Sequence, residues 1–230
     1  MGDTMNDYDA CRRAMEALEE GYRAVFAVAR EGTTAEEIDA TLTRHLQPRG
    51  IEIRKGASTP YVVAPEGRPP KLRVNRVPLQ RGKLWGMDSN VFGGGAWADL
   101  GRYGFIGQPD DLLLRLYQEV IDRADWIASQ VRPGRPMEEI AAAIPPDLPY
   151  EIHRIGADQT MMPVCGNATA KLADGMARSR LEGLTYQVGQ VVCIEIWAGL
   201  RGGIEDMYVV DSRGLVRMSS LPRTIQMTSD

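Results

Sequence analysis

Val191-Val192-Cys193-Ile194-Glu195-Ile196-Trp197 and Ile204-Glu205-Asp206-Met207-Tyr208-Val209-Val210 are two apolar runs joined across the turn Leu200-Arg201-Gly202-Gly203. Runs rich in β-branched and aromatic residues, bounded by glycines, read as the two strands of a hairpin. Each run carries an acid, Glu195 in the first and Glu205 ten residues on. The pattern occurs once before. Leu84 to Asp88 and Ala96 to Phe105 flank Gly93-Gly94-Gly95, and Asp99 follows Asp88 by eleven residues. Two hairpins therefore each bring two carboxylates together. Buried carboxylates repel one another, and each costs several kcal/mol to desolvate unless it is compensated. Four converging acids ask for about four positive charges, which two divalent cations supply.

Outward from the hairpins, the chain repeats a longer phrase. Tyr8 to Arg30 has the spacing of an amphipathic helix, with Met15, Leu18, Tyr22, Val25 and Val28 at three- and four-residue steps. Gly32 ends it. Thr33-Thr34-Ala35-Glu36-Glu37 opens a second helix, because a Thr cap followed by acids suits a helix N-terminus. That helix runs to about Leu46 and stops at Pro48-Arg49-Gly50. Asp111 to Val131 is again amphipathic, and Pro133-Gly134-Arg135-Pro136-Met137-Glu138-Glu139-Ile140 follows it. Gly32 matches Gly134, and Glu36-Glu37-Ile38 matches Glu138-Glu139-Ile140, at one offset of 102 residues. A turn, a Gly and Glu-Glu-Ile are also a common way to start any helix, but the preceding long helix recurs too. Ile51 to Ile53, Pro60 to Ala64 and Tyr150 to Ile155 read as extended. The order describes two similar halves, each ending in an acid-bearing hairpin.

Composition narrows the class. The 230 residues are 43% hydrophobic and 25% charged, with net charge -4, as in ordinary soluble domains. No basic patch of six or more residues is present, so nucleic acid is not an expected partner. No apolar run approaches the ~20 residues that cross a bilayer, so a membrane is not one either. The polar, acidic stretch Met1 to Asp7 has no signal-peptide pattern, and the cytoplasm is the expected compartment. Three cysteines, Cys11, Cys165 and Cys193, without a CxxC spacing, do not make a disulfide framework or a zinc-thiolate site. Cys193 sits in an apolar run and reads as a small buried residue.

His153 follows a short strand and precedes Gly156, placed to add one nitrogen to the acids. Oxygen-rich ligation with a single imidazole suits Mn, Fe(II) or Co better than structural zinc, and leaves catalytic zinc open. Each residue alone has an ordinary explanation. An Asp after an apolar run is often a turn former, and a lone His is more often a satisfied polar residue than a ligand.

Order and spacing change the reading. Asp88, Asp99, His153-x-Ile155-Gly156, Ile194-Glu195 and Ile204-Glu205 together resemble the pita-bread metallopeptidase superfamily, which includes methionine aminopeptidase, aminopeptidase P, prolidase and creatinase. Trp85-Gly86-Met87-Asp88 resembles the strand bearing its first metal Asp. Asp99-Leu100-Gly101-Arg102-Tyr103 resembles its Asp-x-Thr-Arg-Thr stretch, with Gly101 and Tyr103 departing. Tyr186 to Glu195 resembles Leu-x-Pro-Gly-Met-Val-x-x-Ile-Glu, with Tyr186, Val188 and Gln190 departing. Gly203 to Val210, followed by Gly214, resembles the closing Ile-Glu-Asp-x-Val-x-Val segment.

The resemblance implies an α+β pita-bread fold: two pseudo-symmetric halves with a curved, mostly antiparallel sheet covered by helices. Residues 1–230 would form a single catalytic domain, with halves at about 7–107 and 110–215, starting almost directly with the first helix as methionine aminopeptidase does. It implies two divalent metal ions (Mn, Fe(II), Co or Zn). Asp99 and Glu205 would bridge both, Asp88 would chelate one, and His153 and Glu195 would bind the other. Glu195 would also relay a proton to and from a bridging hydroxide. Homodimers are common among such enzymes, and a homodimer is the assembly the resemblance allows.

The pattern breaks at two histidines that the peptidases use near substrate. One position falls in Pro60-Tyr61-Val62-Val63-Ala64-Pro65-Glu66, which has no His. The other falls on Thr160 in Gln159-Thr160-Met161-Met162-Pro163. The chain has two histidines in all; His45 lies on the expected second helix and reads as a surface residue. General acid–base help is worth ~10²–10⁴-fold. Tyr61 and Thr160 can hydrogen-bond a substrate, but are poor acids at neutral pH. Gln159, Met161, Met162, Trp197 and Arg201 are the candidate pocket residues, with Arg201 either a clamp for a substrate carboxylate or a solvated turn residue. The expected function is a dinuclear-metal hydrolase acting on the C–N bond of a small amino-acid-like or short peptide substrate. The alternatives are a repurposed lyase or tailoring metalloenzyme for a small metabolite, and a non-enzymatic binding module.

Overall fold

The computed structural model describes residues 8–58, 61–62, 78–145, 150–155, 161–166, 183–197 and 203–228, with side chains described at 8–52, 78–145, 150, 152, 183–196 and 203–228. Four helices are described: α1 (Tyr8–Val28), α2 (Ala35–Leu46), α3 (Asp111–Gln130) and α4 (Met137–Ala143). The strands are β1 (Ile51–Ser58), β2 (Tyr61–Val62), β3 (Leu84–Gly93), β4 (Ala96–Ile106), β5 (Tyr150–Ile155), β6 (Met161–Gly166), β7 (Val191–Trp197), β8 (Gly203–Val210), β9 (Leu215–Arg217) and β10 (Gln226–Thr228).

The helices follow their apolar spacing. In α1, Met15, Leu18, Tyr22 and Val25 are buried, but Val28 is 45% exposed. In α3, Leu113, Tyr117, Val120, Ala124 and Ile127 make the buried stripe. Caps set the starts. The Thr34 hydroxyl accepts from the Glu37 N–H while the Glu37 carboxylate accepts from the Thr34 N–H, satisfying two otherwise orphaned donors. Asp110 accepts from the Leu113 N–H at the head of α3. The recurring phrase has one conformational cause. Gly32 and Gly134 both sit at positive φ, 85° and 75°, where a side chain would clash.

The strands form one sheet in the order β1-β3-β4-β8-β7-β5-β6, with β2 on β3, β9 on β8 and β10 on β4. Every pairing is antiparallel except β10 with β4. Sequence reading ended the Asp88 strand at the acid. The strand in fact runs on to Gly93, and Gly94 and Gly95, both at positive φ, make the two-residue turn. Asp88 is therefore mid-strand. β6, β9 and β10 had no alternation to announce them, being short or read as loop.

Two cores back the sheet. α1 packs on β3 and β4, with α2 against α1 and β1, in a core that includes Leu18, Tyr22, Leu42, Met87 and Leu100. α3 packs on β7 and β8, with α4 against β6, in a core that includes Tyr117, Val120, Ile140, Ile194 and Tyr208. At ~1.5–3 kcal/mol for each large apolar side chain buried, each core is a major contributor to stability. The halves meet at the β4–β8 pair, in register at Gly101↔Glu205.

Candidate metal centre

Strand register explains why distant acids converge. Directly opposed residues in antiparallel strands lie on one face, as do residues two apart. Asp88 opposes Gly101, Gly101 opposes Glu205, and Glu205 opposes Glu195. Asp99 is two residues before Gly101, opposite Asn90. One row across the sheet thus carries Asp88, Glu205 and Glu195, with Asp99 one step along. Gly101 is the close approach in that row. A Cβ there would lie 3.0 Å from the Cβ of Glu205 and 3.1 Å from its backbone N.

Asp88, Asp99 and Glu205 each offer a carboxylate oxygen, all within 4.8 Å of one another. Asp99 and Glu205 are 3% exposed, and Asp88 is half-buried. Asn90 Nδ2 donates to Asp99 Oδ2 at 3.1 Å. Asp99 Oδ1 is buried and has no hydrogen-bond partner among the described residues. None of the three carboxylates is in an ion pair with a described basic side chain. The nearby guanidinium of Arg102 is fully buried, but spends its donors elsewhere. Its Nη1 donates to the carbonyls of Gly101 (2.7 Å) and Glu205 (2.8 Å), and its Nη2 to Asp206 Oδ1 (2.5 Å). Arg102 thus pins the strand crossing that presents Glu205 without neutralising the acids.

The electrostatic result is a set of carboxyls that resist ionising. Burial raises Asp88 above the usual carboxylate range. Burial, then the charge of Asp88, raises Asp99. Burial, then the charges of Asp99, Glu195 and Asp88, pushes Glu205 well up. An acid trio with two members buried, an orphaned oxygen and no ion-paired base among the described residues fits a hard divalent cation, which takes carboxylate oxygens. Such a cation supplies positive charge to all three in one atom.

Of the residues expected from sequence, Asp88, Asp99 and Glu205 are brought together. Glu195 is half-buried, opposite Glu205, and close enough for its charge to act there. His153 is described by its backbone, on β5 opposite Cys193. Cys193 is two residues from Glu195 on β7. Tyr61, Met161, Met162 and Trp197 are likewise described by backbone alone, on β2, β6, β6 and β7. Gln159, Thr160 and Arg201 lie outside the described residues. Cys193 is buried, as expected, and burial raises its thiol far above the ordinary value, so it is no nucleophile at neutral pH. Sequence reading missed Asn90 as a partner of Asp99 and the Arg102 clamp. The first carried no signal until the hairpin register was known. The second was visible only as an Arg inside an apolar strand.

The profile of metallopeptidase family M24 matches residues 9–212. No curated protein matches in sequence. Among solved structures, the dipeptidase PepE from Mycobacterium ulcerans superposes with a TM-score of 0.73 at 18% identity, covering 99% of this chain and 62% of that one. An X-Pro aminopeptidase from Thermotoga maritima gives 0.73 at 18%, covering 99% and 64%. A prolidase from Pyrococcus horikoshii gives 0.71 at 15%, covering 96% and 64%. The chain spans just under two thirds of the length of these structures. At these identities the likeness establishes the fold, which is the pita-bread α+β fold.

Proposed function

Because this chain belongs to metallopeptidase family M24, we propose that it is a divalent-metal-dependent hydrolase cleaving a C–N amide bond in a short peptide or small amino-acid-like molecule. The observation that carries this reading is the trio Asp88, Asp99 and Glu205, ion-paired with no described basic side chain and with Asp99 Oδ1 unpartnered among the described residues. In this reading residues 1–230 act as a single catalytic domain, and Asp88, Asp99, His153, Glu195 and Glu205 hold two ions of Mn, Fe(II), Co or Zn. Bound there, two such cations supply Lewis acidity and lower the pKa of water.

The chain's own groups do the rest. Asp99 and Glu205, on the neighbouring strands β4 and β8, would contribute carboxylate oxygens to the ions. Glu195, half-buried, takes a proton from the attacking water and returns it to the leaving amine. Tyr61 and Thr160 hydrogen-bond the scissile amide. Gln159, Met161 and Trp197 line the substrate, and the Arg201 guanidinium clamps a substrate carboxylate.

A second reading has its own observation. The chain holds only two histidines; His45 is in the last turn of α2 and His153 on β5. Neither is left to act as the substrate-side imidazoles of the peptidases. A repurposed metalloenzyme, a lyase or tailoring enzyme on a small metabolite, would keep the metal and dispense with those imidazoles.

Elemental analysis of protein purified without chelators, beside the Asp99→Ala, Glu205→Ala variant, tests the shared premise. About two equivalents of metal in the parent, lost in the variant, is the expected result. No metal in the parent after reconstitution with each ion overturns both readings and leaves a binding module. A panel of dipeptides, X-Pro included because structural relatives bear those names, then separates the two. Turnover upholds the hydrolase. Full metal with no amide turnover favours the repurposed enzyme.

A further inference from the structure

A second site lies away from the carboxylates. A cleft of about 720 Å³ runs between one face of α3 (Ile121, Asp125, Ala128, Ser129), with Arg132 just past its C-terminus, and the β8–β9 hairpin, with Arg223 also in its lining. None of Asp88, Asp99, Glu195 or Glu205 lines it. The volume falls within the ~300–1,000 Å³ of small-molecule sites. Its lining holds four arginines, Arg132, Arg213, Arg217 and Arg223, against two aspartates, Asp125 and Asp211, an excess of two positive charges.

The acids are already committed. Asp211 Oδ1 accepts from the backbone N–H groups of Arg213 (2.7 Å) and Gly214 (2.8 Å), and the first of these holds its carboxyl below the usual range. Asp125 accepts from Arg223 Nη1. Arg223 is engaged at all three nitrogens as well. Its Nε donates to Asp206 Oδ2 (2.6 Å) and its Nη2 to the Tyr208 hydroxyl (2.5 Å). It is a fixed wall.

The other three cations are loosely held. Arg217 approaches Asp206 no closer than 4.0 Å. Arg213 stands 3.8 Å from Asp211 with 90% of its side chain exposed. Arg132 is exposed, and its donor contact is the carbonyl of its own neighbour Val131, at 2.8 Å. Gly214 leaves room for the Arg132 guanidinium over the hairpin. A Cβ there would fall 2.6 Å from Arg132 Nη1. Ile121, Ala128, Leu215 and Val216 supply an apolar strip beside these guanidiniums.

We infer that this cleft is a second binding site, for a small organic anion whose carboxylate or phosphate oxygens engage Arg132, Arg213 and Arg217 while its apolar body lies along Leu215 and Val216. Guanidinium forks suit the oxygens of either head group. The inference does not depend on the proposed hydrolase.

Isothermal titration of the full chain with phenyl phosphate and with 3-phenylpropionate, at constant ionic strength, tests it. Three proteins are compared: the parent, the Arg132→Gln, Arg213→Gln variant, and the Asp99→Ala, Glu205→Ala variant. Both arginines are exposed, so their replacement leaves the core intact. The expected result is saturable binding in the parent, weakened about tenfold or more by the arginine changes and kept by the carboxylate variant. The tighter probe names the head group. No saturable binding of either probe up to about 10 mM, weaker than any ordinary small-molecule site, overturns the inference. So does binding that survives the arginine changes, or that disappears with the carboxylates, because the anion is then at the metal centre.

Discussion

Neutralising Asp99 should stabilise the metal-free protein and destroy the metal's ability to stabilise it. The oxygens of Asp88, Asp99 and Glu205 lie within 4.8 Å of one another. At an effective dielectric of about 20, two unit charges at that distance repel by about 3.5 kcal/mol. Asp99 takes part in two of the three pairs. Raised pKa values mean the cluster relieves part of this by keeping protons, so Asp99→Asn should recover about one pair's worth, ~3 kcal/mol at pH 8. Asparagine keeps an acceptor for Asn90 Nδ2, so the hydrogen bond is retained. For a chain of this size that is a rise in Tm of roughly 6–12 °C. The sign with pH is fixed by the direction of the shifts. Carboxyls raised on folding stabilise the native state fully below the unfolded value near ~4, and that contribution is lost as pH rises through the folded values. The chelated parent should therefore lose stability from about pH 4 upward, and Asp99→Asn should lose less. With metal at about 100 times Kd the parent gains about 2.7 kcal/mol; the variant gains little. Scanning calorimetry of both proteins, chelated and metal-loaded, at pH 5 and pH 8 reads all eight values. A chelated Asp99→Asn less stable than the chelated parent at pH 8 would refute the argument that these acids repel uncompensated.

Metal affinity should weaken as pH falls, by up to about tenfold per pH unit for each proton displaced, and calorimetry in buffers of different ionisation enthalpy should show proton release on binding; binding without proton release at pH 6 contradicts the raised carboxyls. Arg102→Met strips the clamp from the β4–β8 crossing and leaves Asp206 to Arg223 and Arg217 alone; urea denaturation should show a loss near ~3 kcal/mol, and Arg102→Met, Asp206→Leu should recover part of it. Gly104→Ala places a Cβ 2.4 Å from the Trp85 ring, so it should cost ~1–3 kcal/mol and shift tryptophan fluorescence. Thr34→Ala removes the capping box of α2 and should cost ~1 kcal/mol, with metal content unchanged.

Much of this molecule was legible from residue order. The apolar spacing of α1 and α3, the Thr34 cap and the glycines at 32 and 134 act within a turn or two of chain, so sequence carries them. The apolar runs of β7 and β8 and the double-glycine turn after β3 are equally local. The acids were legible as candidates for the same reason: Asp88, Asp99, Glu195 and Glu205 interrupt apolar runs, where a charge needs a compensating partner. What sequence could not supply was register. Only the pairing of Gly101 with Glu205, and of Asn90 with Asp99, puts Asp88, Asp99 and Glu205 on one face with oxygens within 4.8 Å. A one-residue slip would have turned them to the opposite face. The two uses of charge in neighbouring residues were decided there too. Glu205 faces the acids while Asp206, the next residue, is buried against Arg102 and Arg223. The arginine cleft joins residues 121–132 to 208–223 and had no contiguous motif. Local sequence fixes elements, because their hydrogen bonds and caps span a few residues. Sites assembled across the sheet depend on contacts between residues about a hundred positions apart, and those exist only once the halves have met.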